Sequence, residues 1–325
     1  MPRSIADSAG NLLFLGFSAV LQLTTPIANK EPASSTIIPP SVSKSSLDQQ
    51  SRSTSTQKMV DRSAMSVAQP KFSRLGDRPS PMGLQSPAPQ KSIRDVRILV
   101  AEAQTISIGG TNSVLIRDTS GRGIAKLQPN QAYWVSQNTG GIQIGNGQLT
   151  NDLWLESDGP IWVNDRAYHG RVRLINNGDG LLAINTLDLE TYLTSVVGAE
   201  MPSSWHTEAL KAQAIAARSY AVALMQQPPS DWYDLGNDER FQVYRGLESV
   251  TPETIAAVES TQHQVLVQDG KVLMSEYAST EEVTQEAHAG QGMSQATAQQ
   301  LANMGYSHLH LLGNFYRGAG LARLL

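Results

Sequence analysis

The feature that most constrains this chain is a change of hydrophobic period near Leu187. Before it, short apolar runs recur between glycines: Ile98-Leu99-Val100-Ala101, Ser113-Val114-Leu115-Ile116, Ala132-Tyr133-Trp134-Val135, Ile161-Trp162-Val163, Val172-Arg173-Leu174-Ile175 and Leu181-Leu182-Ala183-Ile184. Such runs read as strands, and Asn177-Gly178-Asp179-Gly180 between the last two reads as a hairpin turn. After Leu187 the period lengthens. Leu210, Ala214, Ala217, Ala221 and Leu224 fall three and four residues apart, which predicts an Ala-rich helix over 208–225, closed by Pro228-Pro229. A shorter helix is expected over 189–197, capped by Asp188 and stopped by Gly198. A helix over 252–258 follows, then strands over 264–267 and 272–277 joined by Asp269-Gly270, and a last helix over 294–304. The expected fold class is α+β: a β-rich portion from Val96 to Asn185 packed on an α+β portion carrying the Ala-rich helix.

Ahead of this region the chain has a different character. Leu12 to Leu21 is an apolar run about as long as a signal-peptide core and short for a membrane span, so residues 1–28 are expected to be a signal peptide or membrane-proximal anchor. Residues 32–95 contain 15 Ser and 8 Pro, a composition that buries too little apolar surface to offset its ordering entropy. Residues 29–95 are therefore expected to form a disordered linker, leaving 96–325 as the folded domain. The location this implies is extracytoplasmic, in the periplasm or cell wall.

Charge narrows the partner. Residues 96–325 hold 14 Lys/Arg against 23 Asp/Glu. Phosphate backbones call for a basic stripe, so nucleic acid is not expected, whereas a polymer of neutral sugars meets no repulsion. The chain has no cysteine, which excludes disulfides, thiolate metal sites and a cysteine nucleophile. No cofactor or metal is expected. His308 and His310 are spaced for one strand face, but they have no evident third ligand.

The densest group of chemistry-bearing residues begins at Leu189-Glu190-Thr191-Tyr192 and runs through Val196-Val197-Gly198-Ala199-Glu200-Met201-Pro202 into Glu208-Ala209-Leu210-Lys211-Ala212-Gln213 and Ala216-Ala217-Arg218-Ser219-Tyr220. Glu200 falls in the link between two helices, with Pro202 fixing the backbone beyond it. Lys211 and Arg218, seven apart, share one helix face. A carboxyl at a constrained corner near two cations suits acid/base chemistry; an exposed glutamate beside ordinary helix charges is the alternative.

This stretch resembles the stage II sporulation protein D family, which includes the amidase enhancers. The resemblance extends to Ile161-Trp162-Val163-Asn164 and Tyr168-His169-Gly170 upstream. Downstream it takes in Asp238 with Gln242-Val243-Tyr244-Arg245-Gly246, then His288-Ala289-Gly290-Gln291-Gly292-Met293-Ser294-Gln295. It implies a peptidoglycan lytic transglycosylase, which cleaves the bond between N-acetylmuramic acid and N-acetylglucosamine in peptide-free glycan strands and leaves a 1,6-anhydro end. The family's catalytic acid falls on Glu200 and its helix arginine on Arg218, while Lys211, Gln242, Tyr244, Tyr277, His288 and Gln295 are the implied substrate-binding residues.

Two departures matter. The family's Ser-Thr/Ser-Gly-Gly loop after Tyr277 is replaced by Ala278-Ser279-Thr280-Glu281-Glu282, and the long segment before the His-Gly motif is missing. That favours a second reading, a non-catalytic wall-binding protein that stimulates an N-acetylmuramoyl-L-alanine amidase. The zinc ligands of some relatives are also absent, since residues 233–240 include neither Cys nor His.

Overall fold

A computed structural model of the chain describes residues 21–22, 82, 95–236, 241–288 and 292–324. The expected signal peptide, residues 1–28, lies outside these residues except for Leu21 and Gln22, which form a two-residue strand parallel to Ala125-Lys126. The expected linker lies outside them except at Met82 and Asp95. Met82 is buried and donates its N–H to the Leu309 carbonyl at 3.2 Å, so the chain makes core contacts before Val96.

The β-rich portion is two sheets laid face to face. One runs in the order Gly123–Leu127, Val114–Asp118, Asp152–Glu156, Arg171–Asn176, Leu181–Asp188, Asp95–Ala103, with the Leu21–Gln22 pair outside the first strand. The other runs Arg166–Tyr168, Ile161–Val163, Thr105–Gly110, Ala132–Asn138, Gly141–Ile144, Gly147–Leu149. Alternation fixes the layers: Val96, Ile98, Ile116, Leu153, Leu155, Val172 and Leu174 of the first sheet share one buried core with Ile106, Ile108, Tyr133, Val135, Ile142 and Ile144 of the second. The hairpin expected at 177–180 is present, with Asn177 N–H on the Gly180 carbonyl at 3.1 Å and Gly178 at φ +96°.

The strand Leu181–Asp188 is buried on both faces and delivers the chain into helix α1, Leu189–Glu200. Asp188 Oδ1 caps α1 by accepting from the N–H of Glu190 and Thr191, as expected. Gly198, expected to stop α1, lies inside it. Its missing side chain lets the helix press on the Ser249 carbonyl, where a Cβ would collide. The stop is Pro202, which disfavours helical backbone at Met201; Met201 is extended at φ −129°, ψ 140°.

Helix α2, Thr207–Gln226, is the Ala-rich helix. Its small side chains admit close neighbours on most sides: α1, α3 (Pro252–Ser260), α5 (Gln295–Asn303), α6 (His308–Phe315) and the strand Gln264–Gln268. That strand pairs with Lys271–Val272 through a turn in which Asp269 and Gly270 both have positive φ, and on its other side with Gly320–Arg323. The strand expected over 272–277 is broken. It ends at Val272, and Tyr277–Ala278 instead pairs in parallel with Met293–Ser294. His308 and His310 lie on α6, a helix and not the strand that their spacing suggested. Helix α4, Glu281–His288, follows Tyr277–Ala278 directly.

Candidate functional site

Glu200 is the last residue of α1, half-buried where α1 meets the loop after residue 241. The N–H of Val243 donates to its Oε1 at 2.8 Å, and Gln295 Nε2 reaches its Oε2 at 3.5 Å. Burial pushes the Glu200 carboxyl above the ordinary glutamate range; the Val243 and Gln295 contacts and the charge of Arg245 pull the other way and do not cancel it. The helix terminus acts in the same sense as burial, because the C-terminal end of a helix carries partial negative charge and disfavours a carboxylate.

Two phenols share this neighbourhood. Burial, and after it other charges that include Glu200, hold the hydroxyls of Tyr192 and Tyr277 well above the usual tyrosine range, so both stay protonated. Gln242 ties them together. Its Oε1 accepts from the Tyr192 hydroxyl at 3.0 Å, and its Nε2 donates to the Ala217 carbonyl at 3.0 Å and to the Tyr277 oxygen at 2.9 Å. Since the Tyr277 oxygen accepts from Gln242, its own proton points elsewhere.

Of the residues implied by the sequence, Glu200, Gln242, Tyr277 and Gln295 meet in this one place. Gln242 does so as a buried, fully hydrogen-bonded hub and not as a groove lining. Tyr244 is also interior: its hydroxyl donates to Asn185 Oδ1 at 2.7 Å and its ring packs on those of Tyr168 and Tyr192. Asn185 is fixed in turn by donating to the His169 and Arg171 carbonyls.

Arg218 is engaged by Glu190 instead of Glu200. It is fully buried, its Nε and Nη2 bind the Glu190 carboxylate at 2.9 and 2.6 Å, and the carbonyls of Ala214, Gln264 and Val258 take its remaining N–H groups. This bond set ties α1, α2, α3 and the strand Gln264–Gln268 together, which is a structural office. Lys211 pairs with Glu208 at 2.8 Å, and Glu208 also binds the ring and N–H of His308 at the start of α6. The cations expected beside Glu200 thus serve other carboxylates. His288 Nδ1 lies 2.6 Å from Glu276 Oε2, while its neighbours Ala289 to Gln291, like Asp238, lie outside the described residues.

Sequence reasoning missed Tyr192, the Val243 N–H, Arg245 and Glu190. Arg245 was present as the variable position of the Gln-Val-Tyr motif. Glu190 had a signal too, because an arginine amid alanines on a buried helix face requires a carboxylate partner.

Among known proteins, residues 177–268 match the family model described as SpoIID, stage II sporulation protein. An uncharacterised protein of Brachyspira hyodysenteriae is 30% identical over 151 residues, 46% of this chain and 41% of that protein. The amidase enhancer of Bacillus subtilis is 39% identical over 88 residues, 27% of this chain and 12% of the enhancer. Stage II sporulation protein D of the same organism is 31% identical over 115 residues, 30% of this chain and 33% of that protein. The chain thus spans less than half the length of these relatives, and the family match ends before Tyr277, His288 and Gln295. Glu200, its capped helix, the clamp from Glu190 to Arg218 and the Gln242–Gly246 loop all fall inside the matched stretch, so the part of the chain that is similar to stage II sporulation protein D and to the amidase enhancer is the part that carries this site.

Proposed function

We propose that the domain is a peptidoglycan lytic transglycosylase that works through one carboxyl group, Glu200. The observation that carries the reading is the setting of that carboxyl: half-buried at a helix C-terminus, its pKa pushed upward by burial, and steadied by one backbone N–H. A protonated Glu200 gives its proton to the glycosidic oxygen as the bond to C1 of N-acetylmuramic acid breaks. The carboxylate left behind is supported by Val243 N–H, Gln295 and the charge of Arg245. It then takes the proton of the sugar's own C6 hydroxyl as that oxygen bonds to C1. The 1,6-anhydro ring closes, and Glu200 returns to its starting state. No second carboxylate is needed, in contrast to the two-carboxylate hydrolases. In this reading Tyr277, whose oxygen accepts from Gln242, donates its own proton to a sugar oxygen.

The test is digestion of peptide-free glycan strands by the full chain, with mass detection of anhydro ends. Glu200→Gln keeps the Val243 contact and removes the acidic proton, so turnover should fall about 10²–10⁴-fold. Equal rates in the two proteins refute the assignment.

A second reading has its own support. The Bacillus subtilis match named amidase enhancer has the highest identity of those described, and the chain lacks the Ser-Thr/Ser-Gly-Gly loop that the resemblance leads one to expect after Tyr277. On this reading the domain binds glycan and stimulates an amidase. A wild-type chain that yields no anhydro ends yet accelerates N-acetylmuramoyl-L-alanine amidase decides for it.

A further inference from the structure

The outer faces of the two sheets differ in kind. On the seven-stranded sheet the outer face divides: across Leu181–Asp188 and Asp95–Ala103, Leu182, Ile184 and Leu99 form an apolar cluster with Ile175 and Tyr233, and across Val114–Asp118, Asp152–Glu156 and Arg171–Asn176 the face is an ion-pair lattice. Arg117 binds Glu156 at 2.6 Å, Arg173 binds Asp152, and Arg171 lies 3.8 Å from Glu156. Trp154 lies beneath Arg171 and Arg173, whose guanidinium carbons are 4.6 and 5.6 Å from its ring. The lattice is a solvated surface whose one tryptophan is covered.

On the six-stranded sheet, five of the six strands (Thr105–Gly110, Ala132–Asn138, Gly141–Ile144, Gly147–Leu149 and Ile161–Val163) contain no charged residue, in a chain of which 17% is charged. Strand alternation turns Ser107, Trp134, Ser136, Gln143, Gln148 and Trp162 outward, opposite the buried Ile106, Ile108, Tyr133, Val135, Ile142 and Ile144. Trp134 is 54% exposed, although burying an indole is among the largest hydrophobic gains a side chain can make. Trp162 lies across Gly109, whose missing Cβ leaves the space its ring edge occupies. In the register, Trp162 faces Gly109, Gly109 faces Ala132, and Trp134 faces Ser107. Trp162 and Trp134 are therefore two strands and two residues apart, about 12 Å from standard strand spacings.

We infer that this face is a second glycan-strand site, separate from Glu200. Sugar rings present apolar C–H faces and a rim of hydroxyls. Two indoles with serine hydroxyls and glutamine amides around them match both, and the absence of charge means that no ion must be desolvated when a neutral sugar lies down. The spacing is too long for a single ring to cover both indoles, so the ligand is a chain of sugars. The inference rests on the glycan reading of Glu200 for its choice of polymer, but not on catalysis. The sheet would hold a strand whose other portion is presented to the α+β side.

The test uses the full chain and soluble peptide-free glycan strands, with binding followed by titration calorimetry and by indole fluorescence. Trp134→Ala should weaken binding by about tenfold or more, as truncation of a buried aromatic contact does. Trp134→Tyr should restore part of it, and Trp232→Ala, on the loop after α2, should change nothing. On strands too short to span both sites, the rate at which anhydro ends appear should be the same in Trp134→Ala and wild type. Should wild type make no anhydro ends while Trp134→Ala still loses binding, the Glu200 reading fails and the sheet site stands. Unchanged affinity in a folded Trp134→Ala overturns the inference. So does a concentration-dependent dimer abolished by Trp134→Ala, because the face would then belong to a second copy of the chain.

Discussion

Removing Glu190 should come close to unfolding the α+β portion, although Glu190 lies outside the proposed chemistry. Arg218 is fully buried and Glu190 is the carboxylate that balances it, through two charge-assisted bonds. Burial lowers the Arg218 pKa and Glu190 raises it again, yet an arginine keeps its proton. In Glu190→Ala the guanidinium would stay charged with only three carbonyls as partners, and the His263 N–H, 3.1 Å from Glu190 Oε1, would lose its acceptor as well. Breaking a buried pair from one side costs about 3–5 kcal/mol. Against a whole-domain stability of roughly 5–15 kcal/mol that is a large fraction. At about 2–4 °C per kcal/mol for a domain of this size, Tm should drop by roughly 6–20 °C. Urea unfolding and calorimetry on wild type, Glu190→Ala, Arg218→Met and Glu190→Leu/Arg218→Met form the assay. Each single variant should be much less stable, and the double variant should recover at least half of the loss, because two apolar groups leave no charge stranded. A loss below about 1 kcal/mol in Glu190→Ala, the range of an exposed pair, would refute the clamp. So would an Arg218→Met protein of wild-type stability that is catalytically dead, which would return Arg218 to the reaction.

The remaining expectations are shorter. Glu200 holds a proton in the folded state at pH values where the unfolded chain has released it, so its burial destabilises the fold as pH rises above the ordinary glutamate range; Glu200→Gln should gain stability over wild type at neutral pH, and the difference should vanish near pH 4, as pH-dependent urea midpoints would report. Glu208 is the opposite case: partial burial raises its carboxyl, but hydrogen bonds from Lys211 and His308 bring it down to about 2. Its contribution is present above the unfolded value near 4.5 and is lost as pH falls toward 2, so Glu208→Gln should flatten the acid limb of the stability profile in that window. Gly198→Ala puts a Cβ into the Ser249 carbonyl and should cost about 1–3 kcal/mol by displacing the turn Gly246–Ser249, measured as a lower urea midpoint with an unchanged slope.

Much of this protein follows from local sequence. The strands before Leu187 and the Ala-rich helix are set by hydrophobic period, the hairpin at 177–180 by its Asn and Gly residues, and the start of α1 by Asp188. Those signals act within a few residues, and no distant contact overrides them. The place of Glu200 was misread by a few residues: Gly198 was expected to stop α1 and leave Glu200 in the link, whereas the helix runs on to Glu200 and breaks only where Pro202 acts on Met201. The role of each charge was decided only by the tertiary structure, because charge pairing here is long-range. Arg218 and Glu190 are 28 residues apart and Glu208 and His308 are 100 apart. Lys211 and Arg218 share a helix face with no bearing on which carboxylate each will meet. The direction in which the Glu200 pKa moves depended on the same fact. Once Lys211 and Arg218 are paired elsewhere, desolvation at the helix end outweighs Val243, Gln295 and Arg245. The short segments after Val272 were misread for a related reason: Tyr277–Ala278 is a strand only because Met293–Ser294 lies beside it, and no period of two residues can be heard in a pair.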